Sequence, residues 1–135
     1  MSTTKLESGT TTADVAEWRN LLARHAAISC ALERELQAYE LGVSEYEVLE
    51  RLAEARKSEP GGVCKARAQQ LAGEVHLSQS ALSRVIARLE KAGLVERAMC
   101  PEDRRGIFVQ LTPAGADRQR QAEPTHRSVL AEHLG

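Results

Sequence analysis

The stretch Leu77-Ser78-Gln79-Ser80-Ala81-Leu82-Ser83-Arg84, continued through Leu89-Glu90-Lys91-Ala92-Gly93-Leu94-Val95, carries both the start and the stop signal of one helix. The Ser78 hydroxyl is suited to cap the first amide groups, while Leu77 before the cap and Leu82 inside the helix form an apolar staple. At the other end Gly93 suits the left-handed conformation, and Leu94 can fold back on Leu89 as in a Schellman close. Leu82, Val85, Ile86 and Leu89 recur at helical spacing and make one apolar stripe that needs a core. The opposite face holds Gln79, Ser80, Ser83, Arg84, Ala87, Arg88 and Lys91, polar and cationic without a carboxylate. Taken alone, that face reads equally as a solvated surface or as a surface for an anionic partner.

The flanking segments separate the two readings. Leu94 to Met99 and Ile107 to Thr112 alternate as half-buried strands, with Pro101 and Gly106 punctuating the loop between them. Asp103, Arg104 and Arg105 sit at the tip of that loop. An arginine on a slim hairpin suits the DNA minor groove, whose negative potential favours guanidinium; Arg105 is read as the inserted group and Asp103 as its orienting carboxylate. Upstream, Ala68 to Val75 reads as a short helix turning through His76-Leu77. Helix, tight turn, helix is a DNA-docking unit.

With these residues in view the chain resembles the MarR (multiple antibiotic resistance regulator) family. The resemblance rests on Leu71-Ala72, Leu77-Ser78, Leu82-Ser83-Arg84, Leu89-Glu90, Gly93-Leu94-Val95, Asp103-Arg104-Arg105-Gly106 and Leu111-Thr112-Pro113-Ala114-Gly115, and spans residues 13 to 126. It implies a mainly α fold with a small β-wing, a winged helix-turn-helix. It also implies a sequence-specific regulator of transcription, a ligand-responsive repressor that binds double-stranded DNA at a pseudo-palindromic operator. Gln79, Ser80, Ser83, Arg84 and Arg88 would meet the major groove, and Asp103, Arg104 and Arg105 the minor groove. A homodimer would place two reading helices about one DNA turn apart, ~34 Å. Small aromatic or phenolic effectors bind between dimer helices and reading module in the resembled family, which nominates Trp18, Arg19 and His25. For Trp18, packing in a dimer or core is the more ordinary role.

Length and composition bound the alternatives. A chain of 135 residues is about one domain, drawn here as a disordered tail over 1–12 and a single domain over 13–135. Within it, 13–40 and 113–135 are read as dimerisation helices and 44–112 as the winged helix-turn-helix region. Aromatics make up only 3% of the chain, so the core has to be built from Leu, Val and Ala, which suits packed helices. No apolar stretch approaches the ~20 residues that span a bilayer and no signal core opens the chain, so a cytoplasmic location is expected. Residues 1–55 hold ten carboxylates against five Lys and Arg, whereas residues 56–106 hold ten Lys and Arg against six carboxylates. The positive charge therefore sits in the reading module, and phosphate attraction acts over the local ~8 Å screening length.

From Val15 through Trp18, Leu22, His25, Ser29, Leu32, Leu36 and Tyr39, alternating three- and four-residue steps read as one long helix. Its apolar surface exceeds what a small domain can cover and argues for a second subunit. Ser44 to Glu47 reads as a capping box, starting a helix at Glu45 that runs to about Arg56. Thr112 caps a further helix opened by Pro113; Pro124 is expected to interrupt it, leaving Thr125 to Leu134 as a short last helix and the C-terminal dimerisation helices shortened. The four histidines and three cysteines show no metal-ligand spacing, and no nucleophile or phosphate-loop motif appears, so neither an enzyme nor a cofactor is expected. Some branches of the resembled family sense oxidants through a first-helix cysteine, which nominates Cys30 against the commoner role of a small buried hydrophobe, with weaker claims for Cys64 and Cys100. The rival to the DNA reading is a non-enzymatic winged helix that binds protein or forms heterodimers with another regulator.

Overall fold

The structure, a computed structural model, describes residues 11–58, 68–100 and 103–135, and the side chains of 11–56, 71–98 and 108–135. Asp103, Arg104 and Arg105 are thus described by their backbone alone, and Cys64 lies outside the described residues. Helix α1 (Thr12–Leu36) opens on a reciprocal capping box, Thr11 Oγ1 accepting from Asp14 N–H at 3.0 Å and Asp14 accepting from Thr11 N–H at 3.2 Å. That box draws Thr12 into the helix. At its far end α1 stops at Leu36, earlier than the periodicity suggests. A 3-10 turn over Gln37–Tyr39 follows, Glu40 is left-handed at φ 59°, and Leu41 N–H returns to the Leu36 carbonyl at 3.3 Å.

Helix α2 (Val43–Ser58) starts two residues before the expected Glu45, because Gly42 rather than Ser44 is its cap. Tyr46 N–H bonds the Gly42 carbonyl at 3.0 Å, and Glu45 Oε1 reaches back to the Gly42 N–H at 2.8 Å. Glycine is an acceptable cap residue, and the glutamate three positions on supplies the reciprocal bond.

Helices α3 (Ala68–Val75) and α4 (Gln79–Lys91) form the helix-turn-helix. Their turn is a Schellman close with His76 left-handed at φ 59° and Leu77 N–H on the Ala72 carbonyl at 3.1 Å. The ends of α4 fall where its sequence places them. Ser78 Oγ accepts from Ala81 N–H at 3.1 Å, and Gly93 at φ 80° lets Leu94 N–H bond the Leu89 carbonyl at 2.9 Å.

Strands β1 (Val95–Cys100) and β2 (Asp103–Leu111) pair antiparallel from Val95↔Leu111 to Met99↔Ile107, after which the register jumps to Cys100↔Asp103. The hairpin is therefore tighter than the loop read from Pro101 to Gly106. Asp103 to Gly106 belong to β2, and the bulge absorbs the surplus residues.

Helix α5 (Pro113–Leu134) is continuous, which overturns the expected break at Pro124. A proline inside a helix removes one backbone bond and clashes with the preceding turn, at a cost of ~3 kcal/mol. Tertiary bonds on both sides of Pro124 offset that cost. Before it, Arg118 donates to the Tyr39 carbonyl at 2.9 Å and the buried Gln119 amide to the Tyr46 hydroxyl at 3.2 Å. After it, the Thr125 and Tyr39 hydroxyls meet at 2.8 Å, and Arg127 makes a two-pronged bond to Glu50 at 2.9 and 3.0 Å.

Tyr46, wholly buried, centres this clamp, with the His126 ring stacked on it at 4.4 Å between centroids. Arg127 can only donate, so His126 Nδ1 accepts from it at 2.6 Å, leaving Nε2–H to face Glu47 at 3.3 Å. Burial, reinforced by Glu50, pushes the Tyr46 hydroxyl above the ordinary phenol value. Burial alone would raise Glu50, but the bonds from Arg127 and Tyr46 outweigh it and hold the carboxyl below its usual range. Glu50 in turn holds the Arg127 guanidinium above its ordinary value. Phe108 is the other buried aromatic among the described residues, and the remaining core is aliphatic, with Leu36, Leu49, Leu52, Leu71, Leu82, Leu89, Leu94, Val95 and Val109 fully enclosed.

Candidate nucleic-acid interface

The apolar stripe of α4 is buried and its other face is open. Leu82, Val85, Ile86 and Leu89 enter the core, while Gln79, Ser80, Ser83, Arg84, Ala87, Arg88 and Lys91 are exposed. Ser78 anchors the first turn, and its hydroxyl lies 3.3 Å from that of Ser80. Glu90, the one carboxylate of α4, is turned onto Arg97 of β1 at 3.1 Å, which fastens the base of the wing to the helix. Gln110 and Glu96 bridge the two strands at 3.0 Å.

The two arginines of the exposed face differ. Arg84 makes no ion pair among the described residues, so its fork of donors is free to meet an acceptor. One turn further on, Arg88 Nε donates to Glu45 Oε2 of α2 at 2.7 Å. Sequence reading missed this partner because Glu45 lies 43 positions away. The only local sign was its place three residues after Gly42. The exposed N-terminal half of α4 is the part that reaches base edges when a helix-turn-helix docks in the major groove. The side chains of Asp103, Arg104 and Arg105 lie outside the described residues.

The junction behind α4 is tight. Thr112 caps α5 through Gly115 N–H at 3.0 Å, donates its hydroxyl proton to the Gly93 carbonyl at 2.6 Å, and bonds the Leu94 carbonyl through its own N–H at 3.1 Å. A Cβ on Gly115 would fall well inside contact distance of the Leu94 carbonyl oxygen. Glycine is required there by space alone.

A second feature is a cleft of about 690 Å³ between α1, α2 and the turn after α3. Ile28, Leu32, Val43, Val75 and Leu77 give it apolar walls; His25, Ser29, Glu33, Glu47, Arg51 and Glu74 give it polar ones. Of the three residues nominated for an effector, His25 lines this cleft. Trp18 and Arg19 are exposed on α1 and are not part of its lining. Cys30 is an exposed free thiol on α1, so the buried role usual for cysteine does not apply to it in this chain. Among the described residues no group of three or more His, Cys, Asp or Glu could hold a metal ion, and no helix is long and apolar enough to cross a membrane.

Comparison with known proteins gives concordant results. The family model described as MarR family matches residues 43–107. Among solved structures, AbsC of Streptomyces coelicolor, a MarR family transcriptional regulator, is 33% identical with a TM-score of 0.79, the match covering 93% of this chain and 80% of that one. Sco3205 of the same organism, solved in complex with DNA, is 31% identical with a TM-score of 0.78 over 93% of this chain and 75% of that one. CouR of Rhodococcus jostii RHA1, solved with p-coumaroyl-CoA, shares the fold at a TM-score of 0.72 and 23% identity, covering 84% of this chain and 76% of that one. A search of curated proteins finds no match.

Proposed function

The chain belongs to the MarR family of transcriptional regulators, and from that premise we propose that it is a sequence-specific repressor that acts as a homodimer and is released from DNA by a small ligand. The observation that carries the reading is the capped N-terminal half of α4, where Gln79, Ser80, Ser83 and Arg84 are exposed and Arg84 makes no ion pair among the described residues. Arginine offers a two-pronged contact to guanine, and glutamine and serine bond base edges or phosphates. Arg88 is exposed on the same face one turn on, but its Nε is engaged by Glu45. Asp103, Arg104 and Arg105 are assigned to the minor groove on their sequence alone.

Support for a second copy comes from α1. Residues 12–27 are exposed apart from the half-covered Val15, and Trp18 (59% exposed), Leu21 (54%) and Leu22 (47%) lie along them. A projecting helix of this length is marginal in water without an apolar face to pack on. Leu134 at the end of α5, 55% exposed, extends the same kind of surface. Sedimentation of the wild type and of Leu22→Glu tests this: a dimer that the substitution converts to monomer is expected, and a monomeric wild type removes the proposal.

The effector reading rests on the cleft against α1. Glu33, Glu47 and Glu74 outnumber Arg51 there, so a phenol that donates its proton suits the walls better than an aromatic carboxylate. Titration with simple phenols, read by DNA release, checks this.

For DNA binding itself, fluorescence anisotropy with DNA from the adjacent promoter over a salt series is decisive. Affinity is expected to fall steeply with salt, and Arg84→Ala is expected to weaken binding about 10- to 100-fold where its contact is a base pair's edge. Binding that is absent or indifferent to salt would refute the assignment.

A further inference from the structure

Glu45 is a carboxylate built into the edge of a cationic reading face. Its Oε1 accepts the Gly42 N–H at 2.8 Å and its Oε2 accepts the Arg88 Nε–H at 2.7 Å, so two elements hold it in place. Its side chain is only 17% exposed, whereas that of Arg88 is 57% exposed. The two also share a cleft of about 420 Å³ with Glu33 and Glu40, which places the guanidinium in a negative local field. Glu33 is spent on the Val43 N–H, and Glu40 stands near Arg118 at 3.8 Å, leaving Glu45 as the direct partner. Four residues earlier on the same helix, Arg84 has no such counter-charge among the described residues.

We propose that Glu45 is a specificity-determining residue: by neutralising Arg88 internally it withholds one cation from DNA phosphate and so lowers binding to DNA of arbitrary sequence. The inference rests on the reading that the exposed face of α4 meets DNA. Non-specific binding comes from cations that displace condensed counterions along the duplex. An arginine already paired within the protein has its charge compensated and displaces none unless it first leaves its carboxylate. Base-edge contacts made by the N-terminal half of α4 do not depend on that charge. Glu45 therefore suppresses the phosphate-driven part of affinity and leaves the sequence-reading part in place.

The test uses the full chain and a random-sequence duplex, with affinity measured from 50 to 200 mM salt. Glu45→Gln keeps an oxygen for the Gly42 N–H and removes the charge, so the first turn of α2 survives; circular dichroism confirms it. The variant is expected to bind more tightly at low salt and to steepen the plot of log affinity against log salt by ~0.9, an additional loss of about 3.5-fold across that range. The increment should vanish when Arg88→Ala is added. Glu54→Gln, which removes the same charge about two and a half turns along α2, should give no such steepening.

An unchanged slope in Glu45→Gln overturns the inference, as does an equal gain in the Arg88→Ala background or with Glu54→Gln, since each marks a general charge effect. Weaker binding by Glu45→Gln also overturns it, because Glu45 would then be presenting Arg88 to DNA. Arg84→Ala separates the two levels of argument. If wild type binds with a salt-dependent slope and Arg84→Ala weakens its binding to promoter DNA, the DNA-contact reading stands and the Glu45 variants judge this inference alone; if wild type shows no salt-dependent binding, both fall.

Discussion

Replacing Gly115 by alanine adds one methyl at the seam where the reading helix, the first strand and the last helix meet. The added carbon would overlap the Leu94 carbonyl oxygen and lie 3.2 Å from Leu111 Cδ2. Backbone cannot swing aside as a flexible side chain can, so the first turn of α5 has to retreat. Overpacking of this kind costs ~1–3 kcal/mol. Retreat also stretches the Thr112 bond to the Leu94 carbonyl and the Thr112 cap, each worth ~1 kcal/mol. Against these, alanine is the better helix former by ~1 kcal/mol. The net loss is about 2–4 kcal/mol, and at roughly 3–5 °C per kcal/mol for a chain of this size the melting temperature should fall by about 10 °C. Urea and thermal unfolding at fixed protomer concentration measure it, so that any self-association weighs equally on both proteins. A melting temperature within about 2 °C of wild type, or above it, would refute the reasoning and show that the seam yields without strain.

Three other outcomes are expected. Ser78→Ala removes the bond from Ala81 N–H and should cost about 1 kcal/mol in urea unfolding, with DNA affinity falling in parallel as the first turn of α4 frays. His76→Gly relieves a left-handed side-chain residue in the helix-turn-helix and should stabilise the fold by about 0.5–1 kcal/mol net of the entropy glycine adds to the unfolded chain, again by urea unfolding. The third concerns pH. The folded-state pKa of Glu50 is lowered, so its pair with Arg127 stabilises the fold above the unfolded carboxylate value of ~4.3 and that contribution is lost as pH falls through the lower folded value. Wild type should therefore lose stability below about pH 4.3 more steeply than Glu50→Gln, and parallel curves would remove Glu50 from the account.

Features that depend on a few consecutive residues are legible in this sequence, and those that depend on distant partners are not. The limits of α4 follow from Ser78 and Gly93 because a cap and a Schellman close are made within one turn of backbone. The same logic misplaced the start of α2, since Gly42 and Ser44 both qualify as caps and local chemistry does not choose between them. The structure does, by giving Glu47 to His126 and Glu45 to Gly42 and Arg88. Pro124 is the clearest case. Local propensity breaks the helix there, and bonds to Tyr39 and Glu50, 86 and 77 positions from their partners, hold it together. On α4, the exposure of Gln79, Ser80, Ser83 and Arg84 was legible because exposure on a helix follows its period. The engagement of Arg88 was not, because no period connects it to Glu45.

The placement of these bonds also constrains how a ligand could act on DNA binding. A ligand shifts an equilibrium only through different contacts with its two states, so an occupant of the cleft has to displace an element that α4 feels. Helix α2 is that element, because its first two turns face both ways. Glu47 lines the cleft and pairs with His126, while Glu45, two residues earlier, pairs with Arg88. Movement of that end of α2 therefore changes the anchoring of α5 and the charge presented by α4 together. Arg51, which also lines the cleft, donates to the Glu74 carbonyl at 3.5 Å at the end of α3, so the same displacement reaches the helix-turn-helix from its other side. An occupant that fills the cleft without moving α2 or the turn after α3 would leave the exposed face of α4 unaltered, however tightly it bound.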